Sequence, residues 1–177
     1  IDGKYAKAKA NLFSEIADIG YFTRKRLDIH FMVKKPLKMI DDYASLNVFC
    51  MTFHVDIKND LEKVIDKCKN YGIKVGLAIN PEDDISIVEP YIDKIDLILV
   101  MSVHPGLPGQ EFIKEVIPKI KALRKKIEKE KRDILISVDG GINLTNKDFL
   151  GDADILVSGS CVTNSDDFEE TIQELKG

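Results

Sequence analysis

The feature that most constrains this chain is a repeated alternation of short, continuously apolar runs with longer amphipathic segments. The run Leu97-Ile98-Leu99-Val100-Met101 has no polar face at all. A strand of that kind belongs in a parallel sheet covered on both sides, whereas a half-wet antiparallel strand alternates polar and apolar residues. Comparable runs predict strands at residues 27–33, 48–55, 73–79, 95–103, 134–139 and 154–158. Helical segments are predicted between and after them at 36–44, 61–71, 85–92, 111–131, 147–150 and 166–175. In the charged run 119–132, Ile120, Leu123 and Ile127 fall at helical spacing, so it reads as a helix with one solvated face rather than a binding patch.

Strict β-α alternation leaves an open doubly wound sheet or a closed barrel. His30, His54 and Asp139 each fall at the C-terminal end of a predicted strand, and Ser160 follows another closely. Barrel enzymes gather their sites at the C-terminal ends of several strands, while open sheets concentrate them at one switch point. No GxGxxG follows the first strand, so a dinucleotide fold has no support. The expectation is a (β/α)8 barrel forming a single domain over residues 1–177, with six clear strands and Ile1–Gly3 as the tail of another. On that count the first strand, first helix and most of the second strand are expected to be missing, because a full barrel usually takes about 250 residues.

Composition narrows the partners. A net charge of −4 gives no electrostatic reason to expect nucleic acid or an anionic membrane. Three cysteines, Cys50, Cys68 and Cys161, with no CxxC spacing point to neither a disulfide framework nor structural zinc. No apolar stretch approaches the roughly 20 residues of a membrane helix. A cytoplasmic protein is expected.

Two glycine turns suggest phosphate. Ser137-Val138-Asp139-Gly140-Gly141-Ile142 is a buried strand ending in a tight turn, and Gly159-Ser160 follows the next strand. Either turn alone is ordinary. At successive strand ends they fit the phosphate site of many barrels, where glycine lets backbone N–H groups approach the anion. The segment from His104 to Gln110 has the composition of a lid and precedes a long helix. His54 shares an alternation face with Thr52 and Asp56, and is either a satisfied structural histidine or a catalytic one. Asp28, His30 and Met32 share another face, which places Asp28 inside, beside His30.

Val100-Met101-Ser102-Val103-His104-Pro105-Gly106-Leu107-Pro108-Gly109-Gln110-Glu111-Phe112 resembles the ribulose-phosphate 3-epimerase signature V-M-[TS]-V-x-P-G-[FL]-x-G-Q-x-F. Leu27-Asp28-Ile29-His30-Phe31-Met32-Val33, Thr52-Phe53-His54-Val55-Asp56 and Lys74-Val75-Gly76-Leu77-Ala78-Ile79-Asn80-Pro81 match in family order as well. So do Ser137-Val138-Asp139-Gly140-Gly141 and Val157-Ser158-Gly159-Ser160.

The resemblance implies metal-assisted epimerisation at C3 of a ketopentose phosphate, interconverting ribulose 5-phosphate and xylulose 5-phosphate in the pentose phosphate pathway. It implies one divalent ion (Zn, Fe, Mn or Co) held by two histidines and two aspartates, the aspartates being the acid/base pair. His30 and Asp139 match two of the four ligands, and Asp139 one catalytic carboxylate. The other two belong to an H-x-D preceding the M-D-G that Ile1-Asp2-Gly3 resembles, so little epimerase activity is expected of the chain as written. Asp28 then either orients His30 or replaces the lost aspartate. By the same resemblance, His30, Met32, Met101, Gly106, Leu107, Pro108, Gly109, Asp139, Gly140, Gly141, Ile142, Gly159 and Ser160 contact substrate.

Two departures stand out: His104 where the family has glutamate, and Pro108 where it has glycine. Competing expectations are an allulose-6-phosphate 3-epimerase, another sugar-phosphate barrel enzyme, and a non-catalytic phosphosugar-binding relic. An unpaired strand edge in a short barrel also leads to the expectation of a homo-oligomer.

Overall fold

The computed structural model describes residues 1, 13–57, 60–106 and 109–177. The expected strand tail at residues 1–3, with Asp2, falls mostly outside them, as do Leu107 and Pro108 of the lid segment. Every predicted strand forms: β1 (Leu27–Phe31), β2 (Val48–His54), β3 (Lys74–Ile79), β4 (Leu97–Met101), β5 (Leu135–Asp139) and β6 (Ile155–Val157). Each is shorter than its apolar run, because the flanking apolar residues leave the ladder for turns while remaining buried, as Val33, Val55 and Val103 do.

The described residues form two compact units, one of Ile1–Ala78 with Ser86–Leu97 and the other of Ile79–Ile85 with Ile98–Gly177.

In the first unit β1 pairs with β2 and β2 with β3, all parallel, with His30 opposite Thr52 and His54 opposite Ala78. β2 is buried along nearly its whole length, as its apolar run requires. Helix α1 (Phe13–Phe22) was not foreseen. None of its residues is buried, and Tyr21 and Phe22 are more than four-fifths exposed, so no core-facing stripe marks its period. The predicted helix at 36–44 is a 3-10 turn (Pro36–Lys38) followed by α2 (Ile40–Ala44). Helix α3 (Leu61–Asn70) buries Leu61, Val64, Ile65 and Cys68, an i, i+3, i+4, i+7 stripe. Segment Ile85–Tyr91 is a 3-10 helix, since Pro90 supplies no amide to continue an α-helix.

Strands β2 and β3 approach closely at Gly76. A Cβ there would lie 2.3 Å from Thr52 Oγ1, 3.1 Å from Thr52 Cβ and 3.0 Å from Leu97 Cδ2. Gly76→Ala is therefore expected to destabilise the protein by about 1–3 kcal/mol, as overpacking of a filled core does. A urea midpoint indistinguishable from that of the parent would contradict this close packing.

In the second unit β4, β5 and β6 are neighbours in that order, and β5 pairs parallel with β6, Asp139 standing opposite Val157. Helix α4 (Ile117–Lys129) buries Ile120, Leu123 and Ile127 as expected. One residue of its charged run turns inward: Lys119 Nζ donates to the carbonyls of Asn80 (2.9 Å) and Pro81 (2.8 Å), and burial lowers its pKa. Segment Lys147–Leu150 is a 3-10 helix, and α5 (Ser160–Thr163) and α6 (Phe168–Lys176) complete the chain. Asp167 caps α6 by accepting from the Glu170 amide at 2.9 Å.

Candidate active site

Asp139 is the last residue of β5, and its side chain is half-buried. Two glycines follow with positive φ, Gly140 at 126° and Gly141 at 64°. No side chain fits at either. A Cβ on Gly140 would meet Val103 Cγ2 at 2.5 Å, and one on Gly141 would meet the Phe112 nitrogen at 2.6 Å. The sequence reading of a tight glycine turn holds, with close backbone packing as its second cause.

Side chains on the neighbouring strand ends hold that turn from both sides. The Ser102 amide donates to the Asp139 carbonyl at 2.8 Å, and Ser102 Oγ donates to the Gly140 carbonyl at 2.7 Å. Beyond β6, Ser158 Oγ donates to the Ile142 carbonyl at 2.9 Å, which sets the turn after β5 beside Gly159 and Ser160. Asn146 Nδ2 donates to the Gly141 carbonyl at 2.9 Å, while Asn146 Oδ1 accepts from the Asn143 amide at 2.9 Å. The unit thus brings Asp139, Gly140, Gly141 and Ile142 together with Gly159 and Ser160. Ser102, Asn143, Asn146 and Ser158 had been singled out for no role of their own; a polar residue inside an otherwise apolar strand end was the available signal for Ser102 and Ser158.

Met101 ends β4 and is buried, like ordinary core. In the lid segment, Gly106 and Gly109 have φ of 135° and 73°, and Gln110 Nε2 donates to the His104 carbonyl at 2.7 Å. His104 Nδ1 lies 3.7 Å from Glu82 Oε2, both side chains about two-thirds exposed. An open cavity of about 710 Å³ elsewhere in this unit is lined by Leu150, Leu156, Val162, Ile172 and Leu175, and no predicted site residue borders it.

In the first unit the site residues are His30, half-buried on β1, and Met32 just beyond. His30 meets His54: their Nε2 atoms are 2.8 Å apart, and the rings stack with centroids 4.9 Å apart. His54 is 1% exposed. Burial, and then the neighbouring His30, pushes its pKa down to about 3, so this imidazole is neutral near pH 7. Asp28, expected inside beside His30, is exposed instead. Ile29, Phe31 and Val33 bury the opposite face, and the face carrying Asp28, His30 and Met32 is the less covered one.

Among the described residues no three His, Cys, Asp or Glu side chains gather into a metal-holding group. The donors present therefore do not by themselves fit the divalent ion that the resemblance implies.

Parallel strands in chain order with a glycine-lined turn beside a strand-end carboxylate define a (β/α)-barrel architecture of the sugar-phosphate type, incomplete in its strand count among the described residues. The solved structure of 3-hexulose-6-phosphate synthase from Salmonella typhimurium shares this fold, with a TM-score of 0.68 over 92% of this chain and 77% of that one, at 18% identity. The Ribulose-phosphate 3 epimerase family matches residues 2–163. The chain is 43% identical over 152 residues to the ribulose-phosphate 3-epimerase of Buchnera aphidicola subsp. Baizongia pistaciae, covering 85% of this chain and 67% of that protein. It is 36% identical over 154 residues to the Bacillus subtilis protein of the same name, covering 85% and 71%. The chain belongs to the ribulose-phosphate 3-epimerase family.

Proposed function

We propose that this protein interconverts ribulose 5-phosphate and xylulose 5-phosphate by proton transfer at C3. The observation that carries the reading is Asp139, a half-buried residue at the tip of β5 whose main chain is held by Ser102 and which is flanked by the glycine turn. The backbone amides of Gly141, Ile142, Gly159 and Ser160 take the substrate phosphate, an arrangement supported by the Ser158–Ile142 bond that joins the two turns. Gly106 and Gly109, whose positive φ bends the segment after β4, cover the substrate, and Met101 at the end of β4 provides apolar contact.

In the reaction Asp139 removes the C3 proton. The electron pair of the broken C–H bond moves toward C2, and the C2 carbonyl becomes an enediolate oxygen. A proton delivered from solvent water to the opposite face of C3 gives the epimer, and Asp139 returns the proton it took to solvent, which restores the carboxylate and closes an acid–base cycle. No step of this reading is routed through the family's divalent ion. The protein works in the cytoplasm, in keeping with the free thiols of Cys50, Cys68 and Cys161. Relatives 33–43% identical that bear the ribulose-phosphate 3-epimerase name favour this substrate over allulose 6-phosphate.

Purified protein supplied with ribulose 5-phosphate in deuterated water should form xylulose 5-phosphate carrying deuterium at C3. Exchange with allulose 6-phosphate alone, or with neither sugar, would overturn the assignment.

A further inference from the structure

We infer that His54 is a positioning residue: its buried imidazole holds Nε2 of His30 and so fixes the orientation and tautomer of that ring. This rests on the proposed reaction for its kinetic consequence, but its structural part stands on the histidine pair alone.

Two imidazole nitrogens 2.8 Å apart are at N–H···N hydrogen-bond distance. Two N–H groups cannot face each other at that separation, so one proton lies between them. Either assignment of that proton commits Nε2 of His30 to His54.

The two partners differ in freedom. His54 is 1% exposed at the end of β2, next to fully buried Phe53 and to Val55, whose amide donates to the Ala78 carbonyl at 3.1 Å. Its backbone and ring are therefore fixed. His30 is half-buried on the less covered face of β1. The fixed ring orients the freer one, both by the hydrogen bond and by the 22° stacking of the two planes. Histidines that act at a site are commonly oriented through a hydrogen bond to one ring nitrogen, which fixes tautomer and ring orientation.

The test uses protein labelled with nitrogen-15 at histidine, read by NMR without substrate, beside kinetics with ribulose 5-phosphate. In the parent, His30 should show one tautomer and a scalar coupling between the two Nε2 nuclei across the hydrogen bond. In His54→Leu, His30 should move to the tautomer mixture of a free imidazole, and kcat should fall about 10-fold or more with KM little changed. His54→Gln, whose amide reaches toward the same nitrogen, should restore most of the loss and provides a second variant if leucine prevents folding.

His30 nitrogen signals that are the same in the parent and in either folded variant would overturn the proposal. So would a kcat loss that glutamine and leucine share equally. If the parent protein turns over no sugar phosphate, it is the epimerase reading that fails, and the nitrogen spectra then decide the role of His54 by themselves.

Discussion

Asp139→Asn should lower kcat for ribulose 5-phosphate by about 10²–10⁴-fold while leaving KM within a few-fold, the usual scale for loss of a general acid–base group. The substitution keeps size and shape but replaces the carboxylate by a neutral amide, which cannot take up the C3 proton. The turn beside it is anchored through main-chain carbonyls. Ser102 donates to the carbonyls of Asp139 and Gly140, and neither bond involves the carboxylate. The turn that offers amides to the phosphate is therefore expected to stay in place, which is why binding and turnover should separate. Progress curves at several substrate concentrations, with circular dichroism to confirm the fold, make the measurement. A variant with undiminished kcat would remove Asp139 from the chemistry and move the search to another strand end.

Phe53→Ala is expected to cost about 3–5 kcal/mol, the usual range for truncating a fully buried aromatic side chain. Phe53 is 0% exposed in β2 and stacks on Phe31 with ring centroids 5.1 Å apart and planes within 4°. Phe31 in turn meets the edge of Tyr43 at 5.0 Å, so the first unit's core loses one end of an aromatic chain. Against a total stability of about 5–15 kcal/mol for an ordinary domain, that is a large share. Phe53→Leu should lose much less, because most of the volume stays filled. Equilibrium urea unfolding of both variants checks the ordering; an alanine variant as stable as the leucine one would mean that the site collapses to fill the space.

The strands were legible because burial on both faces leaves several apolar residues in a row, and runs this short, rich in Ile and Val, are strands rather than buried helices. Helices α3 and α4 were legible through their buried stripes. Where the reading fell short, a long-range contact decides. The helix expected from residue 111 opens as a 3-10 turn at Lys114–Val116 and becomes α-helical only at Ile117, since the Ile113 amide is drawn to the Ser102 carbonyl (2.9 Å) and the Phe112 backbone packs on Gly141. Helix α1 escaped notice because none of its apolar residues is buried. Asp28 was placed inside by alternation alone, but alternation says only which residues share a face, and the covering of that face is a tertiary matter.

The order of elements, the parallel strands and the chemistry-bearing residues at their ends were written in the sequence. Apolar periodicity and glycine placement are local properties, and the family signature is a linear one. The tertiary structure alone brought His54 to within 2.8 Å of His30 and closed the Ser102 and Ser158 bonds around the turn after Asp139. Those contacts join residues 24, 38 and 16 positions apart, and a separation in sequence carries no distance in space until the strands pair.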